Sequence, residues 1–275
     1  MELHNYKRRV AFTLAETLIT LGIIGVVAAV VMPTLINKIQ DRQNIAKWKR
    51  EYSLISNAFQ KVYNDGTQIC SSYTIYGSCE SSVSGSMSDE FREKIIEQLK
   101  VVDYCTGSNT AKACDYYNRA HQEYSKYKWS GVANIYSRYK ALGSTIDRPN
   151  DYTQHGIHAY NFYNYAYLLN DGAAVYFGGS HGGPWIVVDV NNFTQGPNEF
   201  GRDVFVIKIV SNNITNQHWA KPMGAEGTFN KAANGEVCEC SKDKGVKTAN
   251  YIAGGGGTGE VISGACCSAY YLYSK

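Results

Sequence analysis

The sequence predicts an α+β protein in which a long N-terminal helix packs on an antiparallel sheet of about four strands. Three observations predict it: an uncharged run near the N-terminus, an apolar stripe at helical spacing directly after it, and β-branched runs in the second half of the chain. The two helical segments are continuous in sequence, so a single helix of about 50 residues is expected.

The uncharged run extends from residue 17 to residue 37, between Glu16 and Lys38. Its 21 residues would form a helix of about 31 Å, long enough to cross a bilayer. Residues 7–9 are all basic and favour a cytoplasmic N-terminus, with the rest of the chain outside. A signal peptide is the competing interpretation, but its apolar region is usually only about 7 to 15 residues long. A single membrane span is therefore predicted.

The second half of the helix, residues 38–65, is predicted to be amphipathic. Polar residues are expected on one face and an apolar stripe on the other, formed by Ile45, Trp48, Tyr52, Ile55, Phe59 and Val62. The triplet Asn64, Asp65 and Gly66 is a typical stop signal. Pro33 is the one interruption, because proline removes a backbone hydrogen bond.

Residues 66–275 are predicted to form one globular head. The segment SMSDEFREKIIEQLKVV begins with N-cap and acidic residues, and its helical spacing predicts a second helix carrying Phe91, Ile95, Leu99 and Val102. The run FYNYAYLLNDGAAVYF predicts a hairpin that turns at Asp171 and Gly172. The runs PWIVVDV and DVFVIKIV predict two further strands. The apolar face of this sheet would cover the stripe of the long helix.

All eight cysteines follow residue 64, on the predicted outer side of the membrane, which favours disulfides. Two short loops would be closed by pairing Cys70 with Cys79 and Cys105 with Cys114. The other four would form two bonds that tie the C-terminal segment to the region around residue 238: Cys238, Cys240, Cys266 and Cys267. Spacing leaves the connectivity open, and zinc binding by the last four is the alternative.

The segment AFTLAETLITLGIIGVVAAVVMPTLI resembles the N-terminal cleavage and methylation motif of type IV pilins and type II secretion pseudopilins. A basic leader, a small residue, Phe-Thr-Leu, a glutamate and an apolar helix occur in register over residues 7–37. The resemblance implies a prepilin peptidase cut between Ala11 and Phe12 and N-methylation of Phe12. Glu16 becomes the fifth mature residue and Pro33 the twenty-second, where these families often have proline. One departure is Ala11, since glycine usually precedes the cut.

The resemblance also implies a pilin-like fold and a division of the chain into a cytoplasmic leader, 1–11, a transmembrane half-helix, 12–37, an amphipathic half-helix, 38–65, and an extracytoplasmic head, 66–275. In such fibres the glutamate meets the amine of a neighbour's first residue. Glu16 would therefore pair with the amine of Phe12 on the next subunit, which makes a buried carboxylate tolerable and fixes register.

The function implied by the resemblance is that of a non-enzymatic structural subunit of a type II secretion pseudopilus or type IV pilus-like fibre. Its partners would be copies of itself, other pilin-like subunits, the prepilin peptidase, an inner-membrane assembly platform and, before assembly, membrane lipid. It would span the bacterial inner membrane once and then move to a periplasmic or cell-surface fibre. Two alternatives stay open: a minor or tip subunit whose head binds a surface, glycan or secreted substrate, and a membrane-anchored exoenzyme.

The loop DVNNFTQGPNEFGRDVF raises the question of a cofactor. It carries four hard oxygen ligands, Asp189, Asn191, Asn198 and Asp203, and similar elements in pseudopilin-like heads hold calcium. Turn residues that bond their own backbone are the favoured interpretation, and calcium is the alternative. No other cofactor is expected. The full chain has a net charge of +3, and loss of the leader brings it closer to neutrality, so nucleic acid is not an expected partner.

Overall fold

The computed structural model describes residues 13–70, 87–106, 165–180, 183–192, 195–212, 217–226, 228, 240, 249–253, 257–261, 264 and 266–273. Its helices are α1, Leu14–Asn64, α2, Asp89–Gln98, and α3, Cys267–Tyr273. Its strands are β1, Val101–Thr106, β2, Tyr165–Leu169, β3, Ala174–Ser180, β4, Gly183–Asp189, β5, Val204–Asn212, β6, Gln217–Pro222, β7, Ala249–Ala253, and β8, Gly257–Val261.

The chain divides into two compact units, Met1–Gln43 and Asn44–Lys275. In the described part of the first unit, α1 is apolar and its side chains are almost all exposed. Pro33 lies inside the helix, and α1 continues through it without a break. The single long helix expected from the sequence is therefore present.

In the second unit, α1 presents the expected stripe to the core. Trp48, Ile55, Phe59 and Val62 are buried, and Tyr52 packs against them while partly exposed. The helix ends at Asn64, and the following Gly66 has a φ of +78°, which suits a residue without Cβ. The predicted stop signal is confirmed.

The sequence led us to expect the polar residues of this half-helix on the opposite face. Two of them are buried instead. Asn44 is 7% exposed and Glu51 is 0% exposed. Both fall on the apolar stripe, three or four residues from Trp48, so the helical spacing that buries the tryptophan buries them too.

Within the described residues, the main sheet has six strands in the order β1-β2-β3-β4-β5-β6, and every neighbouring pair is antiparallel. The expectation of about four strands is therefore wrong in number. The four predicted strands are β2 to β5, and the sequence reading missed the two edge strands, β1 and β6. A separate hairpin is formed by β7 and β8.

The predicted helix over residues 89–102 ends earlier than its apolar spacing indicated. Ser88 caps α2, because its Oγ accepts a hydrogen bond from the Phe91 backbone N–H at 3.2 Å. Phe91 and Ile95 are buried as expected, but Leu99 adopts an extended backbone. Val102 therefore lies in strand β1, where its side chain is 52% exposed, and its assignment to the helix was wrong.

The core lies between the second half of α1 and one face of the sheet. Trp48 stacks on Phe205 at a centroid distance of 4.8 Å, and Phe59 meets Phe91 edge to face at 5.3 Å. The other face of the sheet is buried as well, as shown by Tyr176, Trp185, Val187 and Val206. Burial on both faces explains why these strands are continuous apolar runs instead of alternating ones.

The hairpin between β2 and β3 forms where it was predicted. Gly172 has a φ of +91° and donates its N–H to the Leu169 carbonyl at 3.1 Å. Asp171 Oδ1 accepts the N–H of Ala173 at 3.1 Å. The aspartate and the glycine thus fulfil the roles that their residue types suggest for a tight turn.

Candidate functional site

Glu16 lies in the first turn of α1 and forms a capping box with Thr13. Thr13 donates its backbone N–H and its hydroxyl to Glu16 Oε2, each at 2.9 Å, and Glu16 returns its backbone N–H to Thr13 Oγ1 at 3.3 Å. Thr13 to Glu16 has the T-x-x-E spacing of this motif, a signal that is present in the sequence but was not among the predictions. Ala11 and Phe12, the two predicted processing residues, lie outside the described residues.

The helix segment after Glu16 forms a continuous apolar surface. Its large side chains between Leu14 and Ile39 are 46–79% exposed, and α1 is the one helix in the described part of the chain that is long and apolar enough to cross a membrane. Exposed apolar area on this scale marks a membrane-facing or protein-binding surface. Pro33 lies within this surface.

The loop between β4 and β5 is organised around Asp203, which is 0% exposed. Its Oδ1 accepts the backbone N–H of Glu199 at 2.7 Å, and its Oδ2 accepts that of Asn198 at 2.8 Å. Burial raises the pKa of Asp203 to about 6, although these two N–H groups, the Asn191 side chain and the charge of Arg202 oppose the shift. The buried carboxyl group therefore fixes the loop by accepting hydrogen bonds from two of its backbone N–H groups.

Three of the predicted calcium ligands, Asn191, Asn198 and Asp203, lie in this loop, and the fourth, Asp189, is the last residue of β4. Asp189 is 0% exposed and its Oδ1 accepts the N–H of Asn191 at 3.2 Å. Asn191 hydrogen-bonds Asp203 and also donates its amide group to the Gly196 carbonyl at 3.3 Å. No group of three or more acidic, cysteine or histidine side chains suited to a metal is found within the described residues.

The hydrogen bonds of this loop favour the turn interpretation. Both Asp203 oxygens and one Asp189 oxygen accept backbone N–H groups, so these oxygens already have hydrogen-bond partners within the loop. Calcium binding stays a prediction.

A second polar cluster lies at the same end of the sheet and was missed by the sequence reading. The Arg50 guanidinium contacts Glu51 Oε1 at 2.8 Å and also forms an ion pair with Asp171 in the β2–β3 turn. Lys47 Nζ donates to the Val190 carbonyl at 3.4 Å. Burial raises the pKa of Glu51, while Arg50 lowers it. The cluster fixes α1 against two loops, and no motif distinguishes Glu51 from a surface glutamate.

One disulfide of the head joins Cys240 to Cys267, with an S–S distance of 2.04 Å. Such a bond connects the region around residue 238 with the C-terminal segment, as expected. Cys70 and Cys266 are also disulfide-bonded. The predicted pairings with Cys79, Cys114 and Cys238 lie outside the described residues.

No family model, curated protein or solved structure matches the chain. The case for its function therefore rests on its own sequence and structure.

Proposed function

We propose that the chain is a non-enzymatic structural subunit of a type II secretion pseudopilus or type IV pilus-like fibre. It is made as a single-pass protein of the bacterial inner membrane, with its first 11 residues in the cytoplasm, and is cut between Ala11 and Phe12 by a prepilin peptidase. An inner-membrane assembly platform then moves it from lipid into a fibre of its own copies and other pilin-like subunits.

One observation carries this proposal: α1 is a single helix, Leu14–Asn64, with two different surfaces. Its first part is apolar and uncovered, and its second part is amphipathic and forms the core of the head together with the sheet. Such a helix fits a subunit that is held by lipid and then by neighbouring helices, because both surroundings cover apolar side chains.

Glu16 has two tasks in this proposal. Within its own subunit it completes the capping box, and its Oε2 accepts both hydrogen bonds that Thr13 donates. In the fibre it pairs with the methylated amine of Phe12 on a neighbour, where the low dielectric strengthens the attraction between the two charges. The carboxylate charge is needed for the second task alone.

Two substitutions separate these tasks. Glu16→Gln keeps an amide oxygen that completes the capping box and removes the charge, whereas Glu16→Ala removes both. We expect each variant to insert into the membrane and to be processed. We expect Glu16→Gln to be as defective in sheared-fibre yield as Glu16→Ala, since neither offers a negative charge to Phe12. Wild-type fibre yield from Glu16→Gln would reduce Glu16 to a helix cap.

A tip subunit is the second candidate, and three exposed tyrosines on the head favour it. Tyr104, Tyr270 and Tyr273 are 44%, 54% and 63% exposed, and exposed aromatic rings are suited to ligand contacts. Immunogold labelling of the head separates the two roles. Label along the whole fibre supports the structural subunit, and label restricted to one end supports the tip subunit.

A further inference from the structure

The C-terminal segment Cys266–Tyr273, which contains α3, packs against α1 and against strands β5 and β6. We call it the C-terminal clamp. Its first four residues are almost completely buried, with exposures of 3%, 0%, 0% and 6% for Cys266, Cys267, Ser268 and Ala269.

Three buried hydrogen bonds join the clamp to different parts of the head. Trp48 Nε1 of α1 donates to the Ser268 carbonyl at 3.0 Å. Val206 of β5 donates its backbone N–H to Ser268 Oγ at 2.9 Å. Ala269 donates its N–H to the carbonyl of Met223, directly after β6, at 3.0 Å. The clamp therefore forms hydrogen bonds with α1, with β5 and with the residue that follows β6.

Aromatic side chains extend this contact. Tyr271 of the clamp meets Phe205 edge to face at 6.3 Å, and Phe205 in turn stacks on Trp48. Tyr273 hydrogen-bonds Tyr52 of α1, and burial raises the pKa of Tyr52 to about 12. The Tyr52 hydroxyl thus stays protonated and donates to the Ala220 carbonyl at 3.2 Å.

Glycines on the facing loops allow the clamp to approach closely. A Cβ on Gly201 would lie 2.7 Å from Cys267 Sγ, and one on Gly224 would lie 2.8 Å from the Cys266 carbonyl oxygen. The backbone of the head is therefore shaped to receive the two cysteines.

The clamp has little helical stability of its own. α3 has seven residues, and isolated helices shorter than about 12 residues are marginal in water. Both of its cysteines are disulfide-bonded: Cys266, and Cys267, which is fully buried and bonds to the partly exposed Cys240.

We propose that the Cys240–Cys267 disulfide keeps the C-terminal clamp closed on α1, and that it forms while the clamp is open. Cys267 Sγ is inaccessible in the closed clamp, so an oxidant cannot reach it there. This inference rests on the extracytoplasmic placement of the head in the proposed function, because that compartment supplies disulfide donors.

The chemistry is thiol–disulfide exchange with a donor disulfide. The thiolate of one of the two cysteines attacks a donor sulfur, forms a mixed disulfide and expels the donor's other sulfur as a thiolate. The second cysteine, as its thiolate, then attacks the first and releases the remaining donor sulfur. Two electrons pass from the protein dithiol to the donor, and the two protons end on the donor dithiol.

Closure then protects the bond. Attack by a reductant at the partly exposed Cys240 would expel Cys267 as a thiolate into a fully buried position, where an anion is poorly solvated. Reduction therefore requires the clamp to open first.

The first test uses full-length Cys240→Ser protein purified in detergent, in which Cys267 has lost its partner. We expect a maleimide to label Cys267 within about tenfold of its rate in the urea-unfolded chain, because an open segment reacts almost as an unfolded one. Protection of about a thousandfold or more would show a clamp that stays closed without the bond and would overturn the proposal.

The second test keeps the disulfide, in case Cys240→Ser does not fold. Ser268→Ala leaves the buried Val206 N–H without its acceptor and should speed reduction of the Cys240–Cys267 bond by dithiothreitol about tenfold or more. Tyr270→Phe, on the exposed side of the same helix, is the matched control and should reduce like wild type. Equal rates in all three proteins would overturn the proposal. Because both tests use purified protein, neither result depends on fibre assembly.

Discussion

Because burial raises the pKa of Asp203, we expect the head to become more stable as the pH falls from neutral. In the folded chain the pKa of Asp203 is about 6, against an ordinary value of 3.8, and burial is the main cause. The folded chain therefore binds this proton more tightly than the unfolded chain does. The contribution of Asp203 to the free energy of unfolding is fully present below pH 3.8 and is lost as the pH rises to about 6.

The size of the effect follows from the two pKa values. Their difference corresponds to about 3 kcal/mol over the whole window. Between about pH 7 and about pH 5 the gain from Asp203 alone is about 1 kcal/mol. Glu51, whose pKa is also raised by burial, changes the stability in the same direction.

Urea unfolding of the full chain in detergent, followed by circular dichroism at both pH values, measures this gain. Asp203→Asn is the matched control, because it keeps the shape of the side chain and cannot titrate. The change in unfolding free energy between the two pH values should be smaller in this variant by about 1 kcal/mol. An equal pH dependence in both proteins would refute the assignment of the raised pKa to Asp203.

The same experiment bears on calcium. A bound cation would favour the ionised form of Asp203 and would stabilise the head at neutral pH. The loop hydrogen bonds predict unfolding curves at about pH 7 that are unchanged by calcium or by chelator. A clear shift on adding calcium would restore the metal interpretation.

Two further substitutions test the packing of the head by the same unfolding measurement. Phe59→Ala leaves a cavity at a fully buried position and should lower the free energy of unfolding by about 3–5 kcal/mol. Asn57→Ala, on the exposed side of α1, should change it by less than about 0.5 kcal/mol. Gly201→Ala should destabilise the head more than Gly172→Ala. Both glycines have a positive φ, a conformation that costs an alanine about 1–2 kcal/mol. Only at Gly201 would the added Cβ also meet Cys267. Equal losses within either pair would contradict the packing described above.

The long helix and the four central strands could be predicted because burial dictates their sequence patterns. The alternation of threes and fours from Ile45 to Val62 follows the helix surface that meets the sheet. The runs that became β2 to β5 are apolar because both faces of the sheet are covered.

The edge strands could not be predicted in the same way. Strand β1 begins two residues after Leu99, so Val102 falls at helical spacing from Ile95 and Leu99 although the backbone is already extended there. Strand β6, with the sequence QHWAKP, contains no β-branched residue and ends in proline. Edge strands make half of the usual ladder contacts, and their sequences are correspondingly less constrained.

The candidate sites were only partly readable from the sequence. The T-x-x-E spacing at Thr13 and Glu16 was a local signal for the capping box and could have been found. Burial of Glu51 depends on Arg50 and on Asp171, which is 120 residues away. No local pattern encodes such a contact between a helix and a distant turn.

The most direct test of the central claim is the mass of the protein isolated from membranes of cells that contain a prepilin peptidase. Intact-mass and N-terminal peptide spectrometry should find a chain that begins at methylated Phe12 and lacks the leader. A chain that still begins at Met1 would contradict processing, and with it the proposed fibre subunit.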